Sequence, residues 1–551
     1  MGDAGESEDN LMANTFKKVI DRLMWVQTPP APNAHAAAGS LCADLRSDVS
    51  RSPFVYQLVS NTVLNRFNIV TKAWGLGANL ALAGTFGAGA CSVFAPSRGV
   101  EGTIAAGATT TSVVLSTALP TAVGLNMLAN RGGSGEYGFK LRIIGKAAGK
   151  VEERFIVGNS AGTTPTITVD AAFSFTPASG DGYEIVAWRV FALGAGTTAS
   201  NIWRSFEVAT NTLSSGLSTT GLPATIATDS DLLCLDEQYT PYDCFPGEGM
   251  MRGGFTYDTV LTVARMALAA TAAGGSSLTG QAADGDAVVM ANEFRNFQLR
   301  IVQDTTNPTA VGQRRVIASH TAGPSPVYTL GAAWAVTPSS SAKYVIELPN
   351  LILGRSSGTT TVYTYNYTPD AYNNGTTTVA ANSWSTTLFG VAPAANIASG
   401  MWMPSWGIRP DPARNARHSF CYFFRGNGSA VLDVLDIAGG TAGAWGATVV
   451  YDGSPGNILT GSCGTYSPYE NEGRMFYMNI YTASAINQIF RFDVKNRVLS
   501  PFTPTDTIQA GTAAIGKRMA AYAAIDGADT YDVVLLLNHL STINQEMIPL
   551  V

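Results

Sequence analysis

The sequence predicts an all-β protein: a β-propeller of about six blades, interrupted by two duplicated small β modules and preceded by a short N-terminal helix. Three observations support this prediction. A hairpin unit recurs along the chain, two long segments repeat each other, and the composition favours strands and tight turns. Charged residues make up only 13% of the 551 residues, hydrophobic residues make up 46%, and there are 57 glycines. A chain with this apolar content can bury a core.

The hairpin unit is clearest between Met475 and Phe502. Apolar residues alternate with their neighbours from Phe476 to Ile480, a polar turn follows, and a second alternating run extends from Ile489 to Val494. Alternation with a period of two on both sides of a short turn indicates a β-hairpin.

Copies of this hairpin unit occur elsewhere in the chain. They lie at Val55–Trp74, Asn201–Leu217, Val362–Trp384, Ser419–Trp445 and Tyr531–Leu550. The later copies begin roughly fifty to sixty residues apart, a spacing close to that of one propeller blade. Because closure removes bare sheet edges, the last copy is expected to pair with strands near Val55–Trp74 or to complete the blade beside them.

The N-terminal segment is predicted to form a helix from Leu11 to Val26, which two prolines end. Its apolar residues recur at helical spacing. Two interpretations stay open: the helix packs on its own domain, or it is an arm that docks on a neighbouring subunit. In the second case Phe16, Ile20 and Trp25 are candidate interface residues. The acidic leader before the helix is followed by no apolar stretch of the signal-peptide kind, so no signal peptide is expected.

Two departures from the hairpin pattern repeat each other. FKLRI at Phe139–Ile143 matches FQLRI at Phe297–Ile301, and Arg154–Ile185 aligns with Arg315–Ile346 without a gap. Apolar positions and turn residues agree together in this alignment, which indicates two copies of one module. Phe173 and Trp334 are therefore expected to be buried at equivalent core positions.

These patterns divide the chain into six segments. They are an acidic leader with helix and linker (1–40), the propeller start (41–97), module 1 (98–187), a propeller segment (188–256), module 2 (257–349), and the propeller remainder with its closure (350–551). In this division each module is grafted between propeller blades.

The module pattern also carries a resemblance. It consists of R-x-I, a small polar turn, a strand and the sequence AA[F/W]xxTP, and it resembles the small β modules common in bacteriophage virion proteins. A β-propeller interrupted by such modules, in a chain poor in histidine and charge, further resembles the tail-tube nozzle proteins of short-tailed phages. This resemblance implies a structural protein of the virion tail that is assembled in the host cytoplasm and has no enzymatic activity. It implies a homo-oligomeric ring around the DNA exit channel, with other tail or head-to-tail proteins as partners.

No catalytic, cofactor or metal site is predicted. The four histidines show none of the spacings typical of metal sites, and the chain has no nucleophile elbow and no phosphate-binding loop. An acidic stretch, DGADTYD at 526–532, has the oxygen ligands that calcium prefers. A turn leading into the next strand explains that stretch equally well and is the favoured interpretation.

Net charge, cysteine content and the uncharged stretches lead to three further expectations. A formal net charge of -6 argues against tight, sequence-independent binding of nucleic acid, so DNA is expected to pass without specific binding. The six cysteines are scattered and are expected to be buried free thiols. Two uncharged stretches, Ala73–Ser97 and Thr103–Asn130, are broken by glycine, threonine and proline, so no membrane span is expected.

One basic stretch, IRPDPARNARHS, contains Arg409, Arg414 and Arg417. It is either a solvated loop between blades or a contact to another subunit or to phosphate. Guanidinium groups bind carboxylate and phosphate with two parallel hydrogen bonds, which is the basis of the second interpretation.

Two rival functions stay open beside the structural one. The first is a receptor- or glycan-binding virion protein that uses the aromatic segment Tyr363–Tyr372 as a stacking surface. The second is a propeller enzyme, which would need carboxylates that converge near the propeller axis. Acidic residues are sparse on the hairpins, so the enzyme is the least favoured of the three.

Overall fold

The computed structural model covers the 551-residue chain. It describes residues 101–119, 139–186, 290–323, 325–347 and 349–392 almost without a gap, and elsewhere mainly the strands given below. Nearly all secondary structure in this part of the chain is β-strand, with one 3-10 helix at Pro308–Ala310. The prediction of an all-β fold is confirmed.

The first complete sheet lies near the N-terminus. The chain enters with β1 (Val26–Gln27), and sheet 1 then contains β2 (Gly39–Ala43), β3 (Phe54–Val59), β4 (Val63–Asn68), β5 (Ala73–Trp74) and β6 (Leu80–Ala81). Strands β2 to β5 pair in sequence order, and β6 pairs with β4. The predicted hairpin at Val55–Trp74 is therefore present. The next strand, β7 (Cys91–Pro96), opens sheet 2.

Module 1 interrupts sheet 2 after β7. Its six strands are β8 (Glu101–Thr103), β9 (Ser112–Val114), β10 (Lys140–Gly145), β11 (Lys150–Asn159), β12 (Thr166–Val169) and β13 (Gly182–Val186). They pair in the order β8-β13-β10-β11-β12-β9. A bridge between Ile104 and Leu115 returns this pairing from β9 to β8. The strands enclose a core that includes Ile167 and Phe173.

Sheet 2 resumes after module 1. It is completed by β14 (Trp188–Leu193), β15 (Trp203–Glu207) and β16 (Thr212–Leu213), in the order β7-β14-β15-β16. Strand β17 (Asp231–Cys234) then opens sheet 3, and the short β18 (Met251–Arg252) follows.

Module 2 interrupts sheet 3 after β17. Its strands are β19 (Leu268–Gly274), β20 (Ser277–Gly280), β21 (Gln298–Gln303), β22 (Arg314–His320), β23 (Val327–Leu330) and β24 (Lys343–Glu347). They pair in the order β19-β24-β21-β22-β23-β20, and β20 pairs back with β19. Strand β18 adds to β24 in parallel.

The two modules share strand order and register. Leu141 pairs with Arg154 in module 1, and Leu299 pairs with Arg315 in module 2, as the sequence alignment predicts. Phe173 is 3% exposed and Trp334 is 6% exposed, so both rings are buried as predicted.

The rest of the chain forms short antiparallel sheets. Sheet 3 is completed by β25 (Leu351–Arg355), β26 (Tyr363–Asn366) and β29 (Ser383–Ser385), and a hairpin of β27 (Tyr372–Asn373) and β28 (Thr378–Val379) lies between the last two. Sheet 4 contains β30 (Ile408–Asp411), β31 (Ala416–Gly426), β32 (Ser429–Asp436), β33 (Ala444–Trp445) and β34 (Val449–Val450). Sheet 5 contains β35 (Cys463–Ser467), β36 (Met475–Tyr481), β37 (Asn487–Asp493) and β38 (Val498–Phe502), which confirms the predicted hairpin.

Sheet 6 contains strands from both ends of the chain. Its strands are β39 (Arg518–Asp526), β40 (Thr530–Asn538) and β41 (Gln545–Pro549), and β1 is the fourth strand. Of the two predicted outcomes for the last segment, pairing with the strands of Val55–Trp74 is wrong, because Met547 pairs with Val26. The segment instead completes sheet 6, whose strand β39 contacts β2 of sheet 1, in agreement with the other predicted outcome. The predicted helix does not extend through Val26, because the backbone of this β-branched residue joins the sheet. The rest of the predicted helix lies outside the described residues.

The first strands of successive sheets contact one another. β2 contacts β7 and β39, β7 also contacts β17, and β39 also contacts β35. Apolar clusters lie between neighbouring sheets: Tyr56 of sheet 1 packs within 5.6 Å of the ring of Phe94 in sheet 2. Trp203 of sheet 2 packs against Tyr365 and Trp384 of sheet 3. The cores are therefore shared between sheets rather than confined to one sheet each.

Candidate assembly surface

The structure places only some of the predicted interface residues. Arg409 lies on β30 and Arg417 on β31, where Arg409 pairs with His418 and Arg417 pairs with Pro410. Strand pairing therefore brings these two arginines onto one hairpin. The other four candidates, which are Arg414, Phe16, Ile20 and Trp25, lie outside the described residues.

Both modules enter at the same place in a sheet. Module 1 leaves sheet 2 between its first and second strands, and module 2 leaves sheet 3 between its first and second strands. Because β7 contacts β17, the two insertion points are neighbours. The modules are consequently joined, and we call the combined unit the module pair.

Backbone groups form part of the contact between the modules. Lys150 of β11 pairs with Gln303 of β21, so the two modules belong to one sheet of 13 strands. The N–H of Asp304 donates to the carbonyl oxygen of Gly149 at 2.8 Å. Gly149 has a φ of +63°, and a Cβ at this position would lie 2.1 Å from the Asp304 oxygen. Only glycine fits such an approach, which fixes how closely the modules meet.

Each module contains the same arginine and aromatic pair. The Arg154 guanidinium lies 5.3 Å from the ring centre of Phe173, and that of Arg315 lies 5.6 Å from the ring centre of Trp334. In both modules the arginine Nε also donates to the backbone oxygen of the residue before the ring, at 3.1 Å in module 1 and 2.6 Å in module 2. These contacts hold the AA[F/W] turn on β11 or β22 and explain why both residue types recur.

The charges inside the two modules differ. In module 1 the buried Arg142 donates to Glu153 at 2.7 Å and to Glu184 at 2.7 Å. Burial opposes the charge of Arg142, but the two carboxylates outweigh burial and raise its pKa. Removing one partner from such a buried pair is strongly destabilising, since it leaves a charge without compensation.

Module 2 replaces this ion-pair arrangement. Arg300 occupies the position of Arg142, and its strand partners in register are Arg314 and Val345 instead of two glutamates. At these three positions module 1 has one arginine and two glutamates, whereas module 2 has two arginines and no acidic residue.

Polar contacts join module 2 to sheets 3 and 4. The buried Asn296 donates from Nδ2 to the carbonyl oxygens of Ile437 at 2.7 Å and Gly440 at 2.8 Å. The hydroxyl of Tyr372 donates to the Asn296 carbonyl oxygen at 3.0 Å. One asparagine thus connects module 2 with sheets 3 and 4. The sequence analysis did not identify Asn296, because the equivalent residue in module 1 is Gly138 and the alignment therefore shows no shared asparagine.

His320 of module 2 is buried, and backbone groups contact both of its ring nitrogens. His320 is 4% exposed, its Nε2 accepts from the N–H of Phe294 at 2.8 Å, and its Nδ1 lies 2.9 Å from the carbonyl oxygen of Thr321. Burial lowers its pKa to about 4. The equivalent residue in module 1 is Asn159, whose Oδ1 accepts from a backbone N–H at 2.9 Å in the same way.

The predicted stacking surface at Tyr363–Tyr372 is wrong. Its four tyrosines, Tyr363, Tyr365, Tyr367 and Tyr372, are at most 7% exposed. Tyr365 packs against Trp203 and Trp384 with ring centres 5.1 and 5.0 Å away. The alternation seen in the sequence reflects burial between sheets, because both faces of this strand are covered.

Metal-ligating residues do not cluster in the part of the chain that the structure describes: no group of three histidine, cysteine, aspartate or glutamate residues comes together there. Four of the cysteines, Cys42, Cys91, Cys234 and Cys421, are buried free thiols, as predicted for them. Within the described residues no helix has the length and apolar character needed to cross a membrane.

Comparison with known proteins identifies no family for the chain. No protein-family model matches the chain, and no curated protein matches it. Among solved structures, the computationally designed Ika8 protein is 9% identical, with a TM-score of 0.27 over 95% of this chain and 100% of that chain. Sqt1 of Saccharomyces cerevisiae is 8% identical, with a TM-score of 0.31 over 96% of this chain and 100% of that chain. Both TM-scores are too low to carry an argument about this protein.

Proposed function

We propose that the chain is a structural protein of a phage virion, a tail component of the nozzle or head-to-tail kind. In this proposal it forms a homo-oligomeric ring around the DNA exit channel, is assembled in the host cytoplasm, and has no enzymatic activity. The observation that carries the proposal is the combination of a sheet shared by both chain ends with a duplicated module pair that projects from two neighbouring sheets.

The proposed core is a closed propeller of six blades. Six sheets of four or five strands follow one another along the chain, and strands from both chain ends combine in sheet 6. Contacts between first strands link sheets 5, 6, 1, 2 and 3 in that order, as the inner strands of successive blades would. Pairing of β1 with β41 supports closure, because it joins the last blade to the start of the chain.

The module pair is proposed as the subunit contact. It is inserted into sheets 2 and 3, and arginine–aromatic contacts and backbone hydrogen bonds stabilise its internal structure. Identical subunits that meet through two different surfaces close into a ring when the rotation between them closes. Stable contacts of this kind bury on the order of 1,000 Å² or more.

The net charge is consistent with a DNA channel. A formal charge of -6 gives the ring a weakly acidic character overall. Phosphate backbones are repelled by acidic surfaces and retained by basic ones. We therefore propose that DNA passes through the ring without specific binding.

Electron microscopy of the purified full chain tests the proposal. The expected result is a ring with a central opening, together with no activity in a hydrolase screen on polysaccharides. Monomeric particles that degrade a polysaccharide would contradict it. A receptor- or glycan-binding virion protein is the second candidate, and it depends on a site other than the buried tyrosines of Tyr363–Tyr372.

A further inference from the structure

Both ring nitrogens of His320 are used to hold a turn of module 2. The Nε2 accepts from the N–H of Phe294, and the Nδ1 lies 2.9 Å from the carbonyl oxygen of Thr321. A carbonyl oxygen can only accept, so the proton of the neutral ring is on Nδ1. A neutral imidazole has one donor and one acceptor, and the two backbone groups occupy both.

A second proton on this ring is incompatible with the closed turn. The proton could only be added at Nε2, where it would face the N–H of Phe294, donor against donor. Phe294 is 6% exposed, and its ring stacks on the imidazole with the ring centres 5.5 Å apart. A buried N–H that loses its acceptor is costly. The turn must therefore open if His320 is to carry a charge.

The groups around His320 favour its neutral form. Burial lowers the pKa of His320 to about 4, and the positive charge of Arg295 contributes to this lowering against the opposing effect of the Thr321 carbonyl oxygen. The other ionisable groups nearby are Glu293 on the same turn and Tyr328 on β23, whose ring centre is 5.3 Å from that of His320. Burial raises the pKa of Tyr328, so Tyr328 stays protonated at acidic pH.

Module 1 makes the same two bonds with a side chain that does not titrate. Asn159 lies at the equivalent position, where its Oδ1 accepts from the N–H of Leu128 at 2.9 Å and its Nδ2 donates to the carbonyl oxygen of Ser160 at 3.2 Å. Leu128 corresponds to Phe294, since the carbonyl oxygen of each accepts the N–H of the first residue of FxLRI. Asparagine is therefore sufficient for the module fold, and what the histidine adds is a response to pH.

The turn held by His320 also carries the contact with sheets 3 and 4. Asn296 lies in this turn, donates to two carbonyl oxygens of sheet 4, and accepts from the hydroxyl of Tyr372. Asn292 and Asn296 both have a positive φ, of 62° and 69°. Backbone in this region of φ persists only where its surroundings hold it, so loss of the bond to His320 also weakens the contact at Asn296.

We propose that module 2 contains an acid-sensitive switch, in which protonation of His320 opens the turn at 290–297 and releases Asn296 from sheets 3 and 4. In the open turn His320 is in water, where its pKa is about 6.5 instead of about 4. The open form binds more protons between these values, so opening becomes more favourable as the pH falls. This inference does not rest on the proposed ring, because every group lies in one chain. A failure of ring assembly and the absence of the switch would be separate results.

Hydrogen exchange of the full chain, followed by mass spectrometry from pH 7 to 4, tests the switch. Each rate is divided by the rate of an unfolded peptide at the same pH. We expect the relative rate at residues 292–297 to rise about a hundredfold over this range. The amide of Leu128 is the internal control, because Asn159 holds it, and it should stay protected. A constant relative rate in the turn overturns the proposal, and so does an equal rise at Leu128, which would show general unfolding.

His320→Asn tests whether the histidine is the group that responds. It places in module 2 the residue that makes both bonds in module 1, so folding and a closed turn are expected. The relative exchange rate at residues 292–297 should then be the same from pH 7 to 4. A turn that still opens in acid in this variant overturns the assignment to His320.

Tyr372→Phe tests whether the turn leaves the sheets when it opens. The change removes the hydroxyl that donates to the carbonyl oxygen of Asn296 and keeps the buried ring. Since one bond that closes the turn is lost, residues 292–297 should exchange about fivefold faster at every pH. Unchanged exchange would show that the turn opens without releasing Asn296, and would overturn the proposed switch.

Discussion

The side chain of Asn374 donates from Nδ2 to Oδ1 of Asn296 at 3.0 Å. Both side chains are buried at about 1% exposure or less. Asn374 also donates to the carbonyl oxygen of Thr441 at 2.6 Å. Asn296 has a φ of 69°, which lies in the left-handed region that asparagine tolerates better than most residues. This pair therefore ties module 2 to the turns of sheets 3 and 4.

Asn296→Ala is expected to destabilise the fold by about 3 kcal/mol. The change removes two donated bonds and one accepted bond, and it takes this partner from the buried Ile437 carbonyl oxygen and from the Asn374 side chain. Chemical denaturation, followed by tryptophan fluorescence, measures the effect.

Asn382→Ala is the matched control for this change. Asn382 also has a positive φ, of 50°, but it is exposed. Its replacement tests the backbone strain alone and should cost about 1 kcal/mol. Equal losses in the two variants would show that the hydrogen bonds of Asn296 do not hold module 2 in place.

The duplicated aromatic position predicts a graded series. Trp334→Ala and Phe173→Ala should each cost about 3 to 5 kcal/mol, because each removes a buried ring from a module core. Trp334→Phe restores the residue that module 1 has at this position, keeps the stacking partner of Arg315, and should cost about 1 kcal/mol. Thermal unfolding measures all three. A Trp334→Phe loss as large as that of Trp334→Ala would contradict the equivalence of the two positions.

His320 predicts a dependence of stability on pH. Its pKa is lowered to about 4 in the folded chain, chiefly by burial, and is about 6.5 when the chain is unfolded. Between these values the unfolded chain binds more protons, so stability rises with pH. The contribution is fully present above about pH 6.5 and is lost as the pH falls towards 4, by about 3 kcal/mol in total.

His320→Asn provides the comparison for this pH effect. Asparagine is the residue that module 1 has at the equivalent position, where it accepts a backbone N–H. The unfolding free energy of the variant, measured from pH 4 to 7, should vary less than that of the unchanged chain. Parallel curves for the two proteins would rule out His320 as the source of the dependence.

Closure predicts the effect of a C-terminal truncation. A chain that ends before Asn538 lacks β41, so β1 loses its partner and sheet 6 has a bare edge. Unpaired edges promote aggregation, and we expect the truncated chain to be insoluble. Fractionation of a cell lysate measures this. A soluble, fully folded truncated chain would contradict a closed propeller.

The sequence predicted strands and modules well for a physical reason. Alternation reports which face of a strand is covered, so hairpins such as Met475–Phe502 and the paired cores at Phe173 and Trp334 could be recognised from local pattern. The alignment of the two modules also predicted the pairing register of their strands, because a slip by one residue would turn the core face of a strand to solvent.

Long-range contacts could not be predicted in this way. The pairing of Val26 with Met547 joins the two ends of the chain, and two residues in strand β1 give no pattern to read. The contact of Gly149 with Asp304 depends on where two modules meet, which neither module's own sequence specifies. The tyrosines of Tyr363–Tyr372 misled for the opposite reason: an aromatic strand buried on both faces looks like an exposed binding surface when its neighbours are unknown.

The mass of the purified full chain in solution tests the central claim most directly. Native mass spectrometry should give one dominant species at a fixed whole-number multiple of 57.7 kDa, because ring closure selects a single copy number. That multiple should persist on dilution if each contact buries on the order of 1,000 Å² or more. A stable species at 57.7 kDa under the same conditions would contradict the proposal that this protein works as a ring.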